Sequence, residues 1–351
     1  MITKENYSEE HIRELQKKSK SDPGLIERTL YAFGLLEALE KVGLNFIFKG
    51  GTSLLLLLPE PKRFSTDIDI VVEPGTEIET YISEASKIFP FEDMEEQKRI
   101  GQNNIVKRHF KFTYESPIRK GQLYILLDVL YEENHYKRLI DKDIAGDLLL
   151  TNGDNLKVRM PSADCILGDK MTAFAPHTTG IPLGAGKDLE VIKQFFDVGS
   201  LIDVYENYDD LRDTYYEVSE AELAFRGNPA TSEEALLDTI RAAACIGSRG
   251  KSGKDDFPYY LRGTRDIVNH IFGGKYSMEV AMSSAPKVIY MAACLLCNKP
   301  FHRLSQQESN ALKQENLTQP ELIGLKSFRK RRDNTYDYLI LADRLLNEFR
   351  S

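Results

Sequence analysis

Two aspartates at the start of a short apolar stretch are the residues of this sequence best placed to do chemistry. Asp67 and Asp69 alternate with the apolar residues of segment 68–72, and side chains two residues apart in a strand point to the same face. Two carboxylates this close repel each other unless a cation lies between them. Mg²⁺ prefers carboxylate oxygens combined with substrate phosphates. The pair therefore predicts a Mg²⁺ site for chemistry on a phosphate compound.

A Gly-Gly pair upstream of the aspartates, Gly50 and Gly51, supplies the second half of such a site, and we call this pair the glycine step. Gly50 and Gly51 follow the apolar stretch 44–48, and the hydroxyl pair Thr52 and Ser53 opens a Leu-rich segment. Glycines let the backbone approach a ligand closely, and a helix N-terminus directs its free N–H groups at an anion. A phosphate cradle beside a metal clamp is the layout that phosphoryl or nucleotidyl transfer requires.

Two residues between the cradle and the aspartates extend this candidate site. Arg63 could contact phosphate or an acidic neighbour. Ser65 would share the face of Asp67 and Asp69 if the strand reached back that far, and it could then bind phosphate or metal or itself accept the transferred group. The alternative for Ser65 is a simple turn or capping role. The predicted nucleotide-binding residues of this region are Gly50, Gly51, Thr52, Ser53, Arg63 and Ser65.

The order of these motifs resembles that of the DNA polymerase β-like nucleotidyltransferase superfamily. Within it, segments 49–53 (Lys-Gly-Gly-Thr-Ser) and 63–70 (Arg-Phe-Ser-Thr-Asp-Ile-Asp-Ile) resemble the AbiEii, or MenT-like, toxin family of type IV toxin–antitoxin systems. The resemblance is close over residues 45–72 and looser to about residue 205. It implies an α/β (α+β) fold with a polymerase β-like core, a mixed sheet flanked by helices. It also implies a phage-defence toxin that adds nucleotides from an NTP to the 3′ end of tRNA with Mg²⁺, and a cognate antitoxin protein as partner.

Asp128 is the candidate for a third carboxylate. It lies inside the otherwise apolar segment 122–131, where a lone carboxylate is costly unless a cation or a metal pairs with it. The superfamily carries a third carboxylate on a strand beside the Asp-x-Asp strand, either as a metal ligand or as the base that takes the proton of the attacking hydroxyl. The alternative is an aspartate that caps a loop at the end of the strand.

The resembling family completes its active site with a lysine on one helix and an aspartate on the next, and Lys170 and Asp197 match these roles. Lys170 would contact the nucleotide triphosphate as a point charge, and Asp197 would orient the lysine or the substrate. The loop between the two helices, residues 175–186, is rich in glycine and proline, and the family's Arg-Asp phrase is absent. Asp188 is therefore a rival for the role of Asp197.

Length and composition allow a chain with two globular domains. The 351 residues suffice for a sizeable core, and 42% hydrophobic with 28% charged residues is ordinary for a globular protein. The net charge of -8 argues against a protein that coats nucleic acid but leaves room for a local basic groove. Wholly apolar stretches are far shorter than a membrane span, the first residues lack an apolar signal core, and the four cysteines show no disulfide spacing. We therefore expect a cytoplasmic location and no membrane segment.

Apolar periodicity predicts the elements that position the candidate residues. A helix should begin at Asp22, as the N-cap, and end near Gly43. Charged residues 92–99 predict a loop or a short helix. Strand 105–114 has a cationic face, which includes His109 and which we interpret as solvated surface. Further strands are expected over 68–72, 122–131 and 156–160, and further helices over 76–88, 164–174 and 187–205.

The C-terminal region, residues 206–351, lacks strand alternation and is expected to be helical. Between Ile240 and Lys275, seven Lys or Arg and three Asp give a local charge of +4. Aromatic residues lie among these cations in a predicted loop, and phosphate contacts combined with base stacking would use that mixture. A second basic run covers residues 329–332, and the alternative is that both regions are solvated loops. The residues predicted to bind RNA are Arg249, Lys251, Lys254, Arg262 and Arg265.

Three functions are compatible with a nucleotidyltransferase domain over residues 1–205 and a helical domain for RNA or substrate over residues 206–351. The first is a Mg²⁺-dependent nucleotidyltransferase toxin that acts on the 3′ end of tRNA. The second keeps this chemistry but modifies a protein or a small molecule; the basic aromatic region favours RNA over it. The third is a catalytically inactive nucleotide-binding scaffold, and the presence of two repelling carboxylates argues against it.

Overall fold

The structure is a computed structural model and describes residues 1–97, 107–305 and 312–351. The chain divides into two compact units. Unit 1 comprises Met1–Ala163 and Asn269–Lys275, and unit 2 comprises Asp164–Val268 and Tyr276–Ser351. Compactness thus places the division before residue 205, because the helices that follow residue 163 pack with the C-terminal helices. A nucleotidyltransferase domain over residues 1–205 stays a prediction about function.

Unit 1 is built around a five-stranded mixed sheet and a separate two-stranded sheet. Their strands are β1 (Ile47–Lys49), β2 (Ile68–Val72), β3 (Asp93–Glu96), β4 (Lys107–Glu115), β5 (Gln122–Tyr131), β6 (Leu139–Asp143) and β7 (Lys157–Pro161). The larger sheet has the order β1-β2-β5-β4-β3, in which β2 and β5 are parallel and the other neighbours antiparallel. β6 pairs with β7. The mixed sheet confirms the predicted α/β fold class.

The helices of unit 1 flank this sheet. They are α1 (Glu9–Ser19), α2 (Pro23–Lys41), α3 (Gly50–Leu57) and α4 (Glu79–Ala85). The predicted caps of α2 are confirmed: the Asp22 carboxylate accepts a hydrogen bond from the Leu25 N–H at 3.1 Å, and Pro23 fills the first turn. Gly43 then leaves the helix with a φ of 75°. α2 packs on β2 and β5, the two strands that carry Asp69 and Asp128.

Alternation along the strands separates a buried face of the sheet from a charged face. The residues of the buried face are at most 3% exposed, and full burial of a large apolar side chain stabilises the fold by about 1.5–3 kcal/mol. The residues between them, Asp69 and Asp128 included, point to the opposite face. The buried face is formed by Phe48, Ile68, Ile70, Val72, Phe110, Phe112, Tyr114, Ile125, Leu127 and Val129.

Unit 2 is built from helices, as predicted for the C-terminal region. They are α5 (Ala163–Ala173), α6 (Asp188–Ile202), α7 (Tyr208–Arg226), α8 (Ser232–Gly247), α9 (Phe257–Asp266), α10 (Met278–Leu296) and α11 (Thr335–Arg350). A capping box fixes the start of α8, where the Thr231 hydroxyl and the Glu234 carboxylate each bond the other residue's backbone N–H. The four cysteines are free thiols.

The apolar helix α10 is a core element of unit 2. Among the described residues it is the helix that has the length and mean hydropathy of a membrane span, yet 67% of its apolar window is buried within the protein. It packs against α6, α8 and α11. Its apolar composition is therefore accounted for by its contacts with other helices.

Three local predictions were wrong or incomplete. Residues 93–96 form the edge strand β3 rather than a loop or helix, because an edge strand that pairs on one side tolerates exposed charges. The strand β6 was not predicted from the sequence.

The predicted basic loop contains the helix α9. Tyr260 of this helix is 1% exposed, so its ring is not available for base stacking. The first residues of the predicted strand 105–114 lie outside the described residues.

Candidate active site

Four titratable side chains stand side by side across the charged face of the unit 1 sheet. Lys49 of β1 is the register partner of Asp69 of β2, and Asp69 is the partner of Asp128 of β5. Asp128 is in turn the partner of His109 of β4. Register partners point to the same face and lie about 5 Å apart. We call these four residues the charged row; it brings together two of the predicted carboxylates.

Gly50 lies directly against the carboxylate of Asp69. A Cβ atom added at Gly50 would be 2.0 Å from Asp69 Oδ2, and the backbone of Gly50 has a φ of 81°. Both the close approach and the left-handed backbone make a side chain at this position unfavourable. Because α3 begins at Gly50, the carboxylate of Asp69 stands beside the start of that helix. The predicted phosphate cradle and the predicted metal ligand are therefore neighbours.

The side chains of Arg63 and Ser65 both lie close to Gly51, next to Gly50. A Cβ atom added at Gly51 would be 2.6 Å from Arg63 Nη2 and 2.9 Å from Ser65 Oγ. The Arg63 side chain is buried and donates to the Phe64 carbonyl at 3.2 Å, and its backbone bridges to Ile271 of the same unit. Arg63 and Ser65 thus both lie at the start of α3.

The hydroxyls of Thr52 and Ser53 hold the backbone of this segment in place. Thr52 Oγ1 donates to the Asp67 carbonyl at 2.6 Å, and Ser53 Oγ donates to the Gly50 carbonyl at 2.8 Å. Both residues are fully buried. The Thr52 bond ties the start of α3 to the residue that leads into β2. A direct contact of these hydroxyls with a nucleotide stays a prediction.

Asp67 and Asp69 differ in exposure. β2 begins at Ile68, so Asp67 precedes the strand and is exposed, whereas Asp69 lies within it and is partly buried. The strand does not reach back to Ser65, which joins the site through Gly51 instead. Thr66 Oγ1 lies 3.3 Å from an Asp67 carboxylate oxygen. The exposed carboxylate can reach a ligand from solvent, and the strand holds the other one in place.

The donor atoms present fit a Mg²⁺ ion that completes its shell with substrate. Within residues 1–97, 107–305 and 312–351, no group of three or more His, Cys, Asp or Glu side chains is arranged to hold one metal ion. Mg²⁺ at phosphate-transfer sites commonly uses one or two carboxylates and takes its other ligands from water and phosphates. Asp67 and Asp69 are such a pair of hard oxygen donors. Asp128 as a third metal ligand stays a prediction.

The carboxylate of Asp128 has a close partner on the neighbouring strand. His109 Nδ1 lies 2.6 Å from Asp128 Oδ1. The His109 side chain is 13% exposed and the Asp128 side chain 34%. Asp128 lies within β5 and not at its end, so a role as a loop cap does not describe its position.

Unit 2 pairs the two residues predicted to complete the active site. Lys170 Nζ on α5 lies 3.1 Å from Asp197 Oδ2 on α6 and donates to Gln194 Oε1 at 2.8 Å. The Lys170 side chain is 8% exposed and that of Asp197 1%. Gln194 and Asp197 are three residues apart, so the same face of α6 presents both to the lysine. The rival residue, Asp188, accepts a hydrogen bond from Arg262 Nε at 2.7 Å. The partner of Lys170 is thus Asp197.

The residues predicted to bind RNA fall into two groups. Arg249 forms an ion pair with Glu279, and Arg262 pairs with Asp188 and lies over the Tyr259 ring at 4.7 Å. These two guanidinium groups therefore already have acidic partners. The side chains exposed to solvent in this region include Lys251, Lys254 and Arg265. RNA binding by either group stays a prediction.

Three residues of these sites received no role from the sequence. His109 was assigned to a solvated face, because alternation along β4 shows which face a residue occupies but not which strand lies next to it. Lys49 was part of the glycine motif, but its position beside Asp69 follows from the pairing of β1 with β2. Its Nζ atom also lies 4.0 Å from Glu132 Oε1. Gln194 could have been found from its spacing of three residues before Asp197.

The fold and the site first define the class of protein. A mixed sheet whose Asp-x-Asp strand stands beside a helix that starts with Gly-Gly is the arrangement expected of a nucleotidyltransferase. The family model described as "Nucleotidyl transferase AbiEii toxin, Type IV TA system" matches residues 34–250. Because the match spans more than half of the chain, the protein belongs to the AbiEii family of nucleotidyltransferase toxins.

Solved structures and curated sequences complete the comparison. The chain is similar to the "crystal structure of JHP933 from Helicobacter pylori", with 13% identity, a TM-score of 0.45 and coverage of 78% of this chain and 93% of that one. It is also similar to the "putative nucleotidyltransferase from H. pylori", with 13% identity, a TM-score of 0.44 and coverage of 79% and 99%. Among curated protein sequences, none matches this chain.

Proposed function

We propose that the protein transfers a nucleoside monophosphate from an NTP to a hydroxyl of its acceptor, and that the acceptor is the 3′ end of tRNA. One observation carries the proposal. In unit 1, Asp69 closely approaches Gly50, and Arg63 and Ser65 closely approach Gly51, so residues predicted to bind metal and phosphate lie at the start of one helix. The family match supports the nucleotidyl-transfer chemistry.

The reaction forms a bond from the acceptor oxygen to the α-phosphorus and breaks the bond from that phosphorus to the oxygen bridging to the β-phosphate. Pyrophosphate leaves. The N–H groups at the start of α3 favour the negative charge of the phosphates, and Arg63 adds a positive charge beside them. Asp67 and Asp69 would hold Mg²⁺, which when bound neutralises charge on the triphosphate. Asp128 is assigned to the proton of the acceptor hydroxyl or to the metal.

Unit 2 enters the proposal through two groups of residues. The resemblance assigns Lys170 to the triphosphate and Asp197 to the orientation of that lysine, and the 3.1 Å contact between them supports the second assignment. The exposed cations Lys251, Lys254 and Arg265 are proposed to contact tRNA phosphates. As a type IV toxin the protein is further proposed to act in the cytoplasm, in phage defence, and to be neutralised by a cognate antitoxin.

Label transfer tests the proposal. Purified protein is incubated with Mg²⁺, total tRNA and each α-labelled NTP in turn, beside an Asp67→Ala, Asp69→Ala variant. Label should enter tRNA with the wild type but not with the variant, and the labelled NTP then identifies the nucleotide. Label that enters a protein or a small molecule instead would change the acceptor. Bound NTP without any transfer would favour an inactive scaffold.

A further inference from the structure

Two members of the charged row, Lys49 and His109, have no part in the proposed reaction, and His109 is the one with a close contact to Asp128. Its Nδ1 atom lies 2.6 Å from Asp128 Oδ1, which is a short hydrogen-bond distance. Because a carboxylate oxygen is a hydrogen-bond acceptor, we assign the hydrogen of this contact to Nδ1 as the donor. The imidazole is therefore committed to one oxygen of a predicted catalytic carboxylate.

The sheet fixes the position of both partners. His109 and Asp128 are register partners on antiparallel strands, and the flanking pair Phe110 and Leu127 is buried in the core. The imidazole is 13% exposed, whereas the carboxylate is 34% exposed. The ring is thus packed in place, and the accessible part of the pair is the carboxylate. On its other side Asp128 has Asp69 as its register partner.

We propose that His109 is a positioning residue for Asp128. By donating to Oδ1 it fixes the orientation of the carboxylate, so that Oδ2 is presented in one direction beside Asp69. The inference rests on the proposed function, in which Asp128 binds the metal or takes the hydroxyl proton. Both roles require a carboxylate held in one orientation, and hydrogen-bonded partners commonly supply that constraint around metal-binding and catalytic groups.

A neighbouring residue provides a matched control. Lys111 lies two residues further along β4 and on the same face as His109. Its register partner is Leu126, and its ammonium group lies 4.9 Å from the centre of the Tyr124 ring. A substitution at Lys111 therefore perturbs the same strand and face at a register position away from Asp128.

Three variants test the inference by two readouts, nucleotide transfer and binding of Mn²⁺ as a spectroscopic substitute for Mg²⁺. His109→Leu removes the donor, His109→Asn keeps an N–H near the position of Nδ1, and Lys111→Leu is the control. We expect His109→Leu to lower kcat, Mn²⁺ affinity or both by about 10- to 100-fold. His109→Asn should restore most of the loss, and Lys111→Leu should match the wild type. A loss in kcat alone would assign Asp128 to the proton, and a loss in Mn²⁺ affinity would assign it to the metal.

A double-mutant cycle separates positioning from a general structural role. In an Asp128→Asn background, His109→Leu should cause no further loss, because the histidine acts through that carboxylate. An equal loss in both backgrounds would overturn the inference. So would a His109→Leu variant with wild-type kcat and Mn²⁺ affinity, or a His109→Asn variant as defective as His109→Leu.

A third readout keeps this inference distinct from the proposed function. In histidine-labelled protein, NMR should show a hydrogen-bonded Nδ1–H signal that disappears in His109→Asn and shifts in Asp128→Asn. This signal requires no turnover, so it can be observed even if the wild type transfers no nucleotide and the proposed function fails. Absence of the signal in folded wild-type protein would overturn the inference by itself.

Discussion

The charged row of unit 1 and the Lys170–Asp197 pair of unit 2 use similar residues in opposite settings. In unit 1, Asp128 of the charged row is 34% exposed, and Asp67, which precedes β2 and is not part of the row, is also exposed. In unit 2, the side chains of Lys170 and Asp197 are 8% and 1% exposed, and Gln194 gives the lysine a second partner. Accessible carboxylates can exchange water for a metal ion or substrate. A buried and paired charge has lost its hydration water, and protein groups take the place of that water.

This difference in side-chain exposure predicts different effects of substitutions on activity and on stability in the two regions. Loss of an exposed carboxylate removes a ligand-binding group from a position where water solvates the charge, and ion pairs at such positions contribute about 0–1 kcal/mol. Loss of one member of a buried pair leaves the other charge without compensation, which costs about 3–5 kcal/mol. We therefore expect substitution of the exposed Asp67, and replacement of the partly buried Asp69 by an asparagine of the same volume, to affect activity far more than stability. Substitution of Asp197 should affect stability whether or not the pair also takes part in catalysis.

The largest effect is expected from replacing both aspartates of the metal pair. An Asp67→Asn, Asp69→Asn variant keeps the volume of both side chains but removes two anionic ligands. Nucleotide transfer should fall by at least about 10³-fold, since metal-assisted stabilisation of this kind contributes several kcal/mol. Urea unfolding should change by less than about 1 kcal/mol. A variant that retains transfer, or that fails to fold, would break the distinction between the two regions.

The next largest effect concerns the buried pair. Asp197→Ala should lower the free energy of unfolding by about 3–5 kcal/mol, because it leaves the Lys170 ammonium buried without its carboxylate. Asp188→Ala is the control: the Asp188 side chain is 14% exposed, but its partner Arg262 is 51% exposed and stays solvated without it, so the loss should be smaller, about 1 kcal/mol. Urea denaturation curves compare the two. Equal destabilisation by both variants would contradict the account.

A double replacement sharpens this result. Lys170→Met combined with Asp197→Leu removes both charges and restores an apolar contact, so much of the stability lost in Asp197→Ala should return. If the double variant is stable and still transfers nucleotide at the wild-type rate, the pair is structural. If it is stable and inactive, Lys170 or Asp197 also serves the reaction, as the family resemblance implies.

A smaller effect is expected at the glycine step. Gly50→Ala places a Cβ where Asp69 Oδ2 now lies and forces a residue with a side chain into a left-handed backbone conformation. Gly43→Ala is the control, because Gly43 has a similar φ of 75° but no atom within 4 Å of the added Cβ. Both should lose about 1–2 kcal/mol of stability. Gly50→Ala alone should lose about 10-fold or more in transfer; a similar loss in Gly43→Ala would show that backbone strain, not displacement of Asp69, is responsible.

The exposed cations of unit 2 should affect RNA binding through salt dependence. If each contacts one phosphate, replacing Lys251, Lys254 and Arg265 with alanine should reduce the salt slope of tRNA affinity by about 2–3. Replacing Arg249 and Arg262, which already have acidic partners, should reduce it less. Filter binding over a range of salt concentrations measures both. Unchanged slopes in the first variant would leave this surface as ordinary solvated charge.

The last effect concerns the pH dependence of stability and arises from partial burial of a carboxyl group within unit 1. Burial, with a contribution from Asp141, raises the pKa of Glu40 to about 7 from its usual 4.5. The folded protein then holds a proton that the unfolded chain loses, so stability should fall as pH rises from about 4.5 to 7. Glu40→Gln should flatten this part of the pH profile of urea unfolding. An identical profile in the variant would contradict the assignment.

The sequence predicted the parts of the fold that depend on local patterns. The caps of α2, the apolar strands β2 and β5, and the Gly-Gly start of α3 all follow from short-range rules. Edge strands such as β3 and β6 are stabilised by their pairing partners, and their charged residues resemble those of a loop. The helix α9 was assigned to a loop although its glycine, threonine and aromatic residues, which are weak helix formers, are stabilised there by packing on α6.

The candidate site was predictable to the same extent. The glycine step and the Asp-x-Asp pair are contiguous motifs, and the structure places their residues together. The partner of Asp128 was not predictable, because His109 meets it across strands that are nineteen residues apart along the chain. Sequence spacing alone also could not decide between Asp188 and Asp197, since the answer depends on which face of α6 meets α5.

The most direct test of the central claim follows two labels in one reaction. Wild-type protein is given tRNA, Mg²⁺ and the active NTP, labelled either at the α-phosphate or at the γ-phosphate, beside the Asp67→Asn, Asp69→Asn variant. Nucleotidyl transfer predicts that α-label enters tRNA, that γ-label is released in pyrophosphate, and that the variant does neither. Entry of γ-label into the acceptor would indicate phosphoryl transfer and contradict the proposed reaction. Full activity in the variant would show that the carboxylates of the unit 1 sheet are not its catalytic centre.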